Sequence, residues 1–331
     1  MRGLILTDHT NHSSENSLYT LVSEMAIHQK IIELYVASRH NEYNLNFFKA
    51  HEGSLLDALL IDDTFSYQKN DHPLDFNLTR VDVRSFDFIW LRLPPPLSFD
   101  FLSFINYQFP KLLIINDPMG IYETGSKSFL KNFESCCPPM KNCSSMEDIN
   151  EFMKTHNDIV LKPNRDYGGK GILRIKDMIV HIGEQRFPFK NWKQMNRGGK
   201  IDHIAVKFLS RVTEGDKRII VIDGHIMGAC LRKPSAGSWI CNVAMGGSSN
   251  ATEVTEEELD MVKLINPTLE SKGIVMYGID TLTDDSGQRV LSEVNTTSVG
   301  GLPQIASMNN EPLVKSGINY LVNYITKKIH K

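Results

Sequence analysis

The 331-residue chain lacks several features that would assign it to a whole class of protein. It has no run of about 18 uncharged apolar residues, so we expect no membrane-spanning segment. Its 36 basic and 39 acidic residues nearly cancel, which argues against nucleic acid or a membrane surface as a partner. Its five scattered cysteines favour free thiols in the cytoplasm over a disulfide framework.

The sequence also lacks the common signatures of nucleophilic and zinc hydrolases. There is no Gly-x-Ser-x-Gly segment, no His-Glu-x-x-His segment and no cysteine beside a plausible base. Cys136, Cys137 and Cys143 lack a second Cys or His pair at metal-binding spacing. With 41% hydrophobic residues the chain can bury a sizeable core, and its length suits two domains or one composite fold.

The first part of the chain, residues 1–119, has the pattern of an open α/β domain. Short apolar runs predict strands, and residues 18–30 have the spacing of an amphipathic helix. Strand, helix and strand in succession are typical of a parallel α/β unit. The predicted strands are residues 4–8, 31–37, 86–91 and 111–116.

The rest of the chain has the pattern of an α+β fold built from hairpins. Asp223-Gly224 is a strong two-residue turn signal between the apolar runs 219–222 and 226–231. A second hairpin is predicted from residues 275–282 and 290–294. Between them, a capping box at Thr255 starts a helix that Gly273 is placed to end.

A glycine-rich hairpin over residues 159–175 is the first candidate for chemistry. One strand carries Lys162, and Gly168 and Gly169 lie in the turn that follows. Glycine lets backbone N–H groups approach an anion, and a lysine adds a positive charge. The segment is not a P-loop, because no Gly-Lys-Ser/Thr opens a helix. Taken alone, a hairpin with Gly-Gly in its turn is more often just a turn.

A second candidate is formed by Asp280, Glu293 and Asn295. In a hairpin turning near residues 286–287, Asp280 lies opposite Glu293, and Asn295 shares the face of Glu293. Facing carboxylates are destabilising unless a cation lies between them. Oxygen donors of this kind suit Mg²⁺, and solvated strand ends are the alternative.

A third candidate combines Asp216 and Arg218 with Arg232 across the Asp223-Gly224 hairpin. Such charges can bind a phosphate or a carboxylate, and a solvated charged face is the alternative. A regular two-residue hairpin would place Arg218 and Arg232 on opposite faces. We therefore expect a β-bulge or a strong twist if both arginines serve one site.

The order of these segments resembles the ATP-grasp superfamily, and within it the bacterial glutathione synthetase family. The similarity runs from about residue 86 to residue 310, while the first 80 residues match in layout only. It implies an N-terminal domain (1–119), a central lid (120–200) and a C-terminal domain (201–331), with ATP held between two sheets. The other similar segments are Arg92 with Pro94–Pro96, Asn116–Pro118, 206–209, 214–218, 242–247 and 267–269.

The resemblance also implies residue roles and a reaction. The reaction is an acyl-phosphate ligation of L-γ-glutamyl-L-cysteine and glycine to glutathione, with ATP converted to ADP and phosphate. The implied ATP contacts are Lys127, Lys162, Gly168, Gly169, Val206, Lys207, Phe208, Leu209 and Asp216. Magnesium, with Mn²⁺ as an alternative, is implied at Asp280, Glu293 and Asn295, and catalytic contacts at Arg218 and Arg232. The residues themselves, and not the resemblance, make the glycine-containing loops at Asn242 and at Ser298, Gly300 and Gly301 candidates for substrate contacts, with plain loops as the alternative. Small molecules are the implied partners, together with a homo-oligomeric state.

Two departures from the family pattern keep other functions open. Ile240 stands where the family commonly has an arginine, and Val299-Gly300-Gly301 replaces its common continuation. One alternative is another ATP-grasp amide or peptide ligase, of the ribosomal-protein glutamate-ligase type, with a different acceptor. The other is a non-catalytic, synapsin-like ATP-binding protein.

Overall fold

The computed structural model describes residues 1–70, 72–235, 237, 239 and 248–330. They form three β-sheets with helices packed around them. Among the described helices, none is both long enough and apolar enough to cross a lipid bilayer.

The first sheet has six strands in the order β4-β3-β2-β1-β5-β6. Four of them (β2, β1, β5 and β6) run parallel, as the sequence predicts, while β3 is antiparallel to both of its neighbours, which the sequence did not reveal. The strands are β1 (Arg2–Thr7), β2 (Glu33–Ser38), β3 (Leu55–Leu60), β4 (Thr79–Asp82), β5 (Phe88–Leu91) and β6 (Leu113–Ile115).

The second sheet also has six strands, in the order β11-β10-β9-β8-β12-β7. The predicted hairpin around the glycine-rich turn is confirmed, because β8 pairs antiparallel with β9. β12 joins this sheet, which therefore continues past residue 200. The strands are β7 (Met140–Cys143), β8 (Asp158–Pro163), β9 (Leu173–Lys176), β10 (Ile179–Ile182), β11 (Gln185–Pro188) and β12 (His203–Lys207).

The third sheet has five antiparallel strands in the order β15-β14-β13-β16-β17. Both predicted hairpins are confirmed. Asp223 (φ 48°) and Gly224 (φ 76°) both have positive φ, as a type I′ turn requires. The strands are β13 (Asp216–Ile222), β14 (His225–Lys233), β15 (Ser248–Thr252), β16 (Met276–Thr283) and β17 (Arg289–Asn295).

In the described ranges, eight α-helices cover the sheets. The predicted helix at Thr255 is confirmed with its capping box, and Gly273 (φ 67°) follows it in the left-handed conformation. The helices are α1 (Ser17–Ala26), α2 (Phe99–Gln108), α3 (Pro118–Thr124), α4 (Met146–Thr155), α5 (Phe189–Met195), α6 (Glu256–Ser271), α7 (Leu302–Asn309) and α8 (Leu313–Ile329). Short 3₁₀ or π segments are Glu42–Asn44, Asn46–Ala50, Pro73–Asp75, Val83–Ser85, Lys127–Cys136 and Ser210–Glu214.

The first and third sheets are joined through shared cores and through one buried amide. Apolar residues from both sheets pack in the same two clusters. Asn116 donates to the carbonyls of Met276 and Thr296, both at 2.7 Å, and accepts from the amides of Val275 and Met276. The second sheet has a separate core. These contacts hold β16 and β17 in place beside the first sheet.

Candidate active site

A cleft of about 380 Å³ lies between the second and third sheets. Its walls come from strands that are distant in the sequence, so both sheets are needed to form it. It contains most of the residues that the sequence analysis singled out. They are Lys162, Gly168, Gly169, Val206, Lys207, Phe208, Leu209, Asp216, Arg218, Arg232, Asp280, Glu293, Asn295 and Ser298.

The remaining predicted residues lie elsewhere. Lys127 lines a smaller adjoining cavity that shares Glu293 and Asn295 with the cleft. Gly300 and Gly301 do not line the cleft, and Gly301 precedes α7 as its N-cap. Asn242, like Ile240, lies outside the described residues. Among the described residues predicted to contact substrate, Ser298 alone lines the cleft, and its role stays a prediction.

Arg218 and Arg232 are held by two carboxylates, of which Asp280 is buried and Asp216 is half-buried. Arg218 donates to both oxygens of Asp280 at 2.8 and 2.7 Å, and Arg232 donates to both oxygens of Asp216 at 2.7 Å. Arg232 Nη2 also lies 3.0 Å from Asp280 Oδ2. Two positive and two negative side chains therefore form one neutral group at the floor of the cleft, which we call the arginine–aspartate quartet.

The predicted β-bulge places both arginines on one face, and it is confirmed. Next to the turn Val221 pairs with Ile226, and the preceding residue Ile220 pairs with Gly228. Met227 therefore has no counterpart on β13, and β14 has one extra residue. Asp216 is then opposite Arg232, two positions from Arg218 on the same face of the sheet. Gly228 has φ 128°, and an added Cβ would lie 2.8 Å from Ile305 Cγ2. Glycine is therefore required there.

Burial and mutual charge give the two carboxylates different acidities. Although burial favours the neutral form, Arg218 and Arg232 hold the pKa of Asp280 well below its ordinary value. Burial, together with the negative charge of Asp280, raises the pKa of Asp216 to about 6. Asp280 is thus a permanent counter-ion, and Asp216 is the member of the quartet that titrates near neutral pH.

The predicted facing of Asp280 and Glu293 is confirmed by the β16–β17 register. The structure adds that the cations at Asp280 are guanidinium groups, and that Asn295 Nδ2 also donates to Asp280 at 3.1 Å. Within the described part of the chain, the Glu293 carboxylate accepts no hydrogen bond. Glu293 and the oxygen of Asn295 are therefore the donors that face the cleft with capacity for a divalent cation.

Two lysines and a glycine turn lie on the side of the second sheet. Lys162 Nζ is 3.5 Å from Ser292 Oγ, beside Glu293. Lys127 donates to the carbonyl of Asp166, and burial together with the charge of Lys162 lowers the pKa of Lys127. Gly168 and Gly169 have φ values of 66° and 81°, so this turn depends on glycine. Cations and backbone amides here can neutralise a polyphosphate.

An apolar slot beyond these charges was not found from the sequence. Its side chains come from strands of both sheets and from neighbouring segments outside them, and Val160 and Leu291 are buried. The slot adjoins the 206–209 segment, where the described neighbours provide no backbone partner for the Leu209 amide. A flat heteroaromatic ring with a polar edge fits such a site. The apolar residues are Leu130, Met140, Val160, Ile172, Val212, Leu282 and Leu291.

A cleft between two antiparallel sheets that can take a polyphosphate and a flat ring beside carboxylates and arginines is typical of nucleotide-dependent enzymes of the ATP-grasp class. Solved structures support this fold. D-cycloserine synthetase DcsG aligns over 98% of this chain and 100% of its own with a TM-score of 0.66 at 12% identity. The D-alanine–D-alanine ligase of Bacillus anthracis, complexed with ATP, aligns over 99% of both chains with a TM-score of 0.57 at 15% identity.

Sequence comparison gives the family. Residues 126–310 match the model of the prokaryotic glutathione synthetase ATP-grasp domain. The glutathione synthetase of Agrobacterium fabrum is 30% identical over 241 residues, which is 72% of each chain, and that of Bradyrhizobium diazoefficiens is 27% identical over 83% of this chain and 86% of its own. The chain belongs to the prokaryotic glutathione synthetase family, as the sequence pattern predicts. It is an ATP- and divalent-metal-dependent ligase that forms a C–N bond.

Proposed function

We propose that this chain joins the carboxylate of L-γ-glutamyl-L-cysteine to the amine of glycine, with ATP converted to ADP and phosphate. The observation that carries the proposal is the arginine–aspartate quartet facing the lysines and the glycine turn across one cleft. The names of the curated relatives support the choice of substrates. The free thiols of the described cysteines suit the cytoplasm as the site of the reaction.

The donor set of the third sheet fits Mg²⁺. Glu293 offers a free carboxylate, Asn295 an amide oxygen, and Asp280 a second carboxylate now occupied by arginine. We assign the cation to these three residues, with Mn²⁺ as the alternative. Such an ion neutralises charge on the phosphates and withdraws electrons from the transferred group.

The chain's own residues act by binding, orienting and neutralising. Lys162 and the amides of Gly168 and Gly169 hold the phosphates, and the apolar slot holds the adenine against the 206–209 segment. Arg218 and Arg232 each give up a hydrogen bond to an aspartate oxygen and bind the transferring phosphoryl group and the carboxylate of the donor. Asp216 and Asp280 keep both guanidinium groups charged and in position before substrate binds.

The chemistry needs no protein nucleophile. A carboxylate oxygen of the donor attacks the terminal phosphorus of ATP, the bond from that phosphorus to the bridging oxygen breaks, and ADP leaves. The glycine nitrogen then attacks the acyl carbon, phosphate leaves with the bonding electrons, and the amine loses a proton. Charge neutralisation and exclusion of water are the requirements for these steps, and a closed cleft of this composition meets them.

A coupled assay of ADP formation with a panel of donors and amines tests the proposal. We expect ADP release that requires both L-γ-glutamyl-L-cysteine and glycine, and a loss of at least 100-fold in Glu293→Gln. Glu257→Gln, an exposed position on α6, is the matched control and should retain wild-type turnover. Turnover only with other substrates would assign a different ATP-grasp ligase. ATP binding without any turnover would make the chain a non-catalytic nucleotide-binding protein.

A further inference from the structure

A group of histidines lies at the edge of the first sheet, outside the cleft. Because β1 and β2 are parallel neighbours, the residues that follow them meet at the same edge, and these include His9 and His40. The 18-residue connection from β3 to β4 passes over this edge and brings His72 and Asp75 to it. Connections of this length with little regular structure commonly have a function.

His9 is fixed in this group by contacts on both of its ring nitrogens. Only 7% of the residue is exposed. Its Nδ1 lies 2.7 Å from Ser38 Oγ, and its Nε2 lies 3.1 Å from Asp75 Oδ1. A second contact that orients a histidine ring is typical of histidine ligands. Without an ion, the same contacts form a histidine–aspartate hydrogen bond.

His72 provides a third donor beside this pair. Its ring stacks on that of His9, with centroids 4.3 Å apart and planes inclined by 14°. One ring nitrogen from each histidine and one oxygen of Asp75 lie within 4.8 Å of one another. The donors of a tetrahedral zinc site are about 3.4 Å apart, given metal–ligand distances of about 2.1 Å. The His9–Asp75 separation already meets this value, so only His72 has to approach.

The partners of His72 allow that approach. Its Nδ1 accepts a hydrogen bond from the amide of Leu74 at 3.2 Å, and its Nε2 lies 2.7 Å from the hydroxyl of Tyr19. The ring nitrogen that binds the ion gives up its own partner, and the other ring nitrogen keeps its partner. The hydroxyl of Tyr19 also lies 2.8 Å from His12 Nδ1, so it stays hydrogen-bonded if His72 turns away.

We propose that His9, His72 and Asp75 form a binding site for a borderline transition-metal ion of the Zn²⁺ type, with water in the open position. Two imidazoles and one carboxylate select such ions over Mg²⁺, which prefers oxygen donors. The ion joins the β3–β4 connection to the carboxyl edge of the first sheet. It thereby fixes one side of a cavity lined by Asp8 and His12, which adjoins the cleft through Pro95 and Ser298.

Cobalt(II) titration of the full chain, followed by visible absorption, tests the site. The Glu293→Gln background is used so that the proposed magnesium site does not compete. We expect one cobalt ion per chain, with visible d–d bands clearly stronger than those of aqueous cobalt and no thiolate-to-cobalt charge-transfer band. Asp75→Asn and His9→Gln should each weaken binding at least tenfold. His330→Gln, a histidine at the far end of α8, is the matched control and should bind like the parent.

Three results would overturn the site. They are no cobalt binding, binding that both ligand variants retain, and a thiolate band that assigns the ion to cysteine. Asp75 is 43% exposed, so Asp75→Asn should fold like the parent, which circular dichroism checks. Zn²⁺ in excess should also raise the melting temperature of the parent and not that of Asp75→Asn. None of these readouts requires ligase activity, so the site and the proposed reaction fail independently.

Discussion

A buried ion pair on the reverse face of the third sheet provides the sharpest test of what holds β13 against α6. Its neighbour Lys217 points away from the cleft and donates to Glu258 at 2.7 Å. The side chain of Glu258 is fully buried, and it also accepts hydrogen bonds from Thr281 Oγ1 at 2.6 Å and Arg289 Nε at 3.1 Å. The pair ties β13 to the first turn of α6.

Removing one partner should be costly because it leaves the other charge buried. Breaking a buried ion pair costs about 3–5 kcal/mol. We expect Lys217→Met to cost about 3 kcal/mol, since Arg289 still compensates Glu258. Glu258→Gln should cost about 5 kcal/mol, because two cations then face a neutral amide. The double variant should cost less than Glu258→Gln alone, because only Arg289 then faces the neutral amide.

Urea unfolding monitored by circular dichroism measures these effects. With a slope of about 3 kcal/mol per molar urea, Lys217→Met should lower the midpoint by about 1 M. Lys263→Met is the matched control, because the Lys263–Asp260 pair lies on the same helix with both side chains about three-quarters exposed. It should not shift the midpoint measurably. Equal shifts in Lys217→Met and Lys263→Met, or additive costs in the double variant, would refute the reasoning.

Three further predictions concern the quartet, the junction between sheets and the phosphate site. The folded-state pKa of Asp216 is raised to about 6, so between about pH 4 and 6 the folded protein binds a proton that the unfolded chain does not, and the stability of the wild type should fall relative to that of Asp216→Asn as the pH rises through this range. Urea unfolding should show a fall of up to about 1.4 kcal/mol per pH unit, and a stability difference that does not change with pH would contradict this. Asn116→Ala should lower the free energy of unfolding by about 3 kcal/mol or more, because it leaves buried backbone groups of Met276 and its neighbours without partners. Thermal unfolding measures this loss, and a loss no larger than that of the surface variant Asn132→Ala would contradict the prediction. Lys162→Met should weaken ATP binding at least tenfold in calorimetric titrations while the melting temperature without nucleotide stays unchanged, and unaltered ATP affinity would remove Lys162 from the phosphate site.

Much of the hairpin architecture was predictable because its signals are local. Asp223-Gly224 marks a turn by backbone preference alone, and the capping box at Thr255 marks a helix start. The pairing of Asp280 with Glu293 followed from counting residues across one turn. The need for a bulge could be predicted, but its position at Gly228 could not, since α7 supplies the contact that requires glycine.

What the sequence did not reveal depends on contacts between distant segments. The antiparallel insertion of β3 has no local signal, because an apolar strand pairs in either direction. The apolar slot combines residues as distant as Met140 and Leu291, which look like ordinary core residues. The sequence also did not reveal which cations contact Asp280. Facing carboxylates predict that a cation lies nearby, but they do not show that it is a guanidinium group. The roles of the cleft residues and the three-domain division stay predictions, as does a homo-oligomeric state.

The extra residue in β14 has a consequence for how this family member can diversify. Every position of β14 past the bulge is displaced by one, so chain length at this point decides that Arg232, and not Leu231, reaches the cleft. Losing a single codon there would turn a leucine toward the nucleotide and direct a guanidinium behind the sheet. A one-residue insertion or deletion at the bulge can therefore change which side chains of β14 face the cleft, while the hairpin and its turn stay intact.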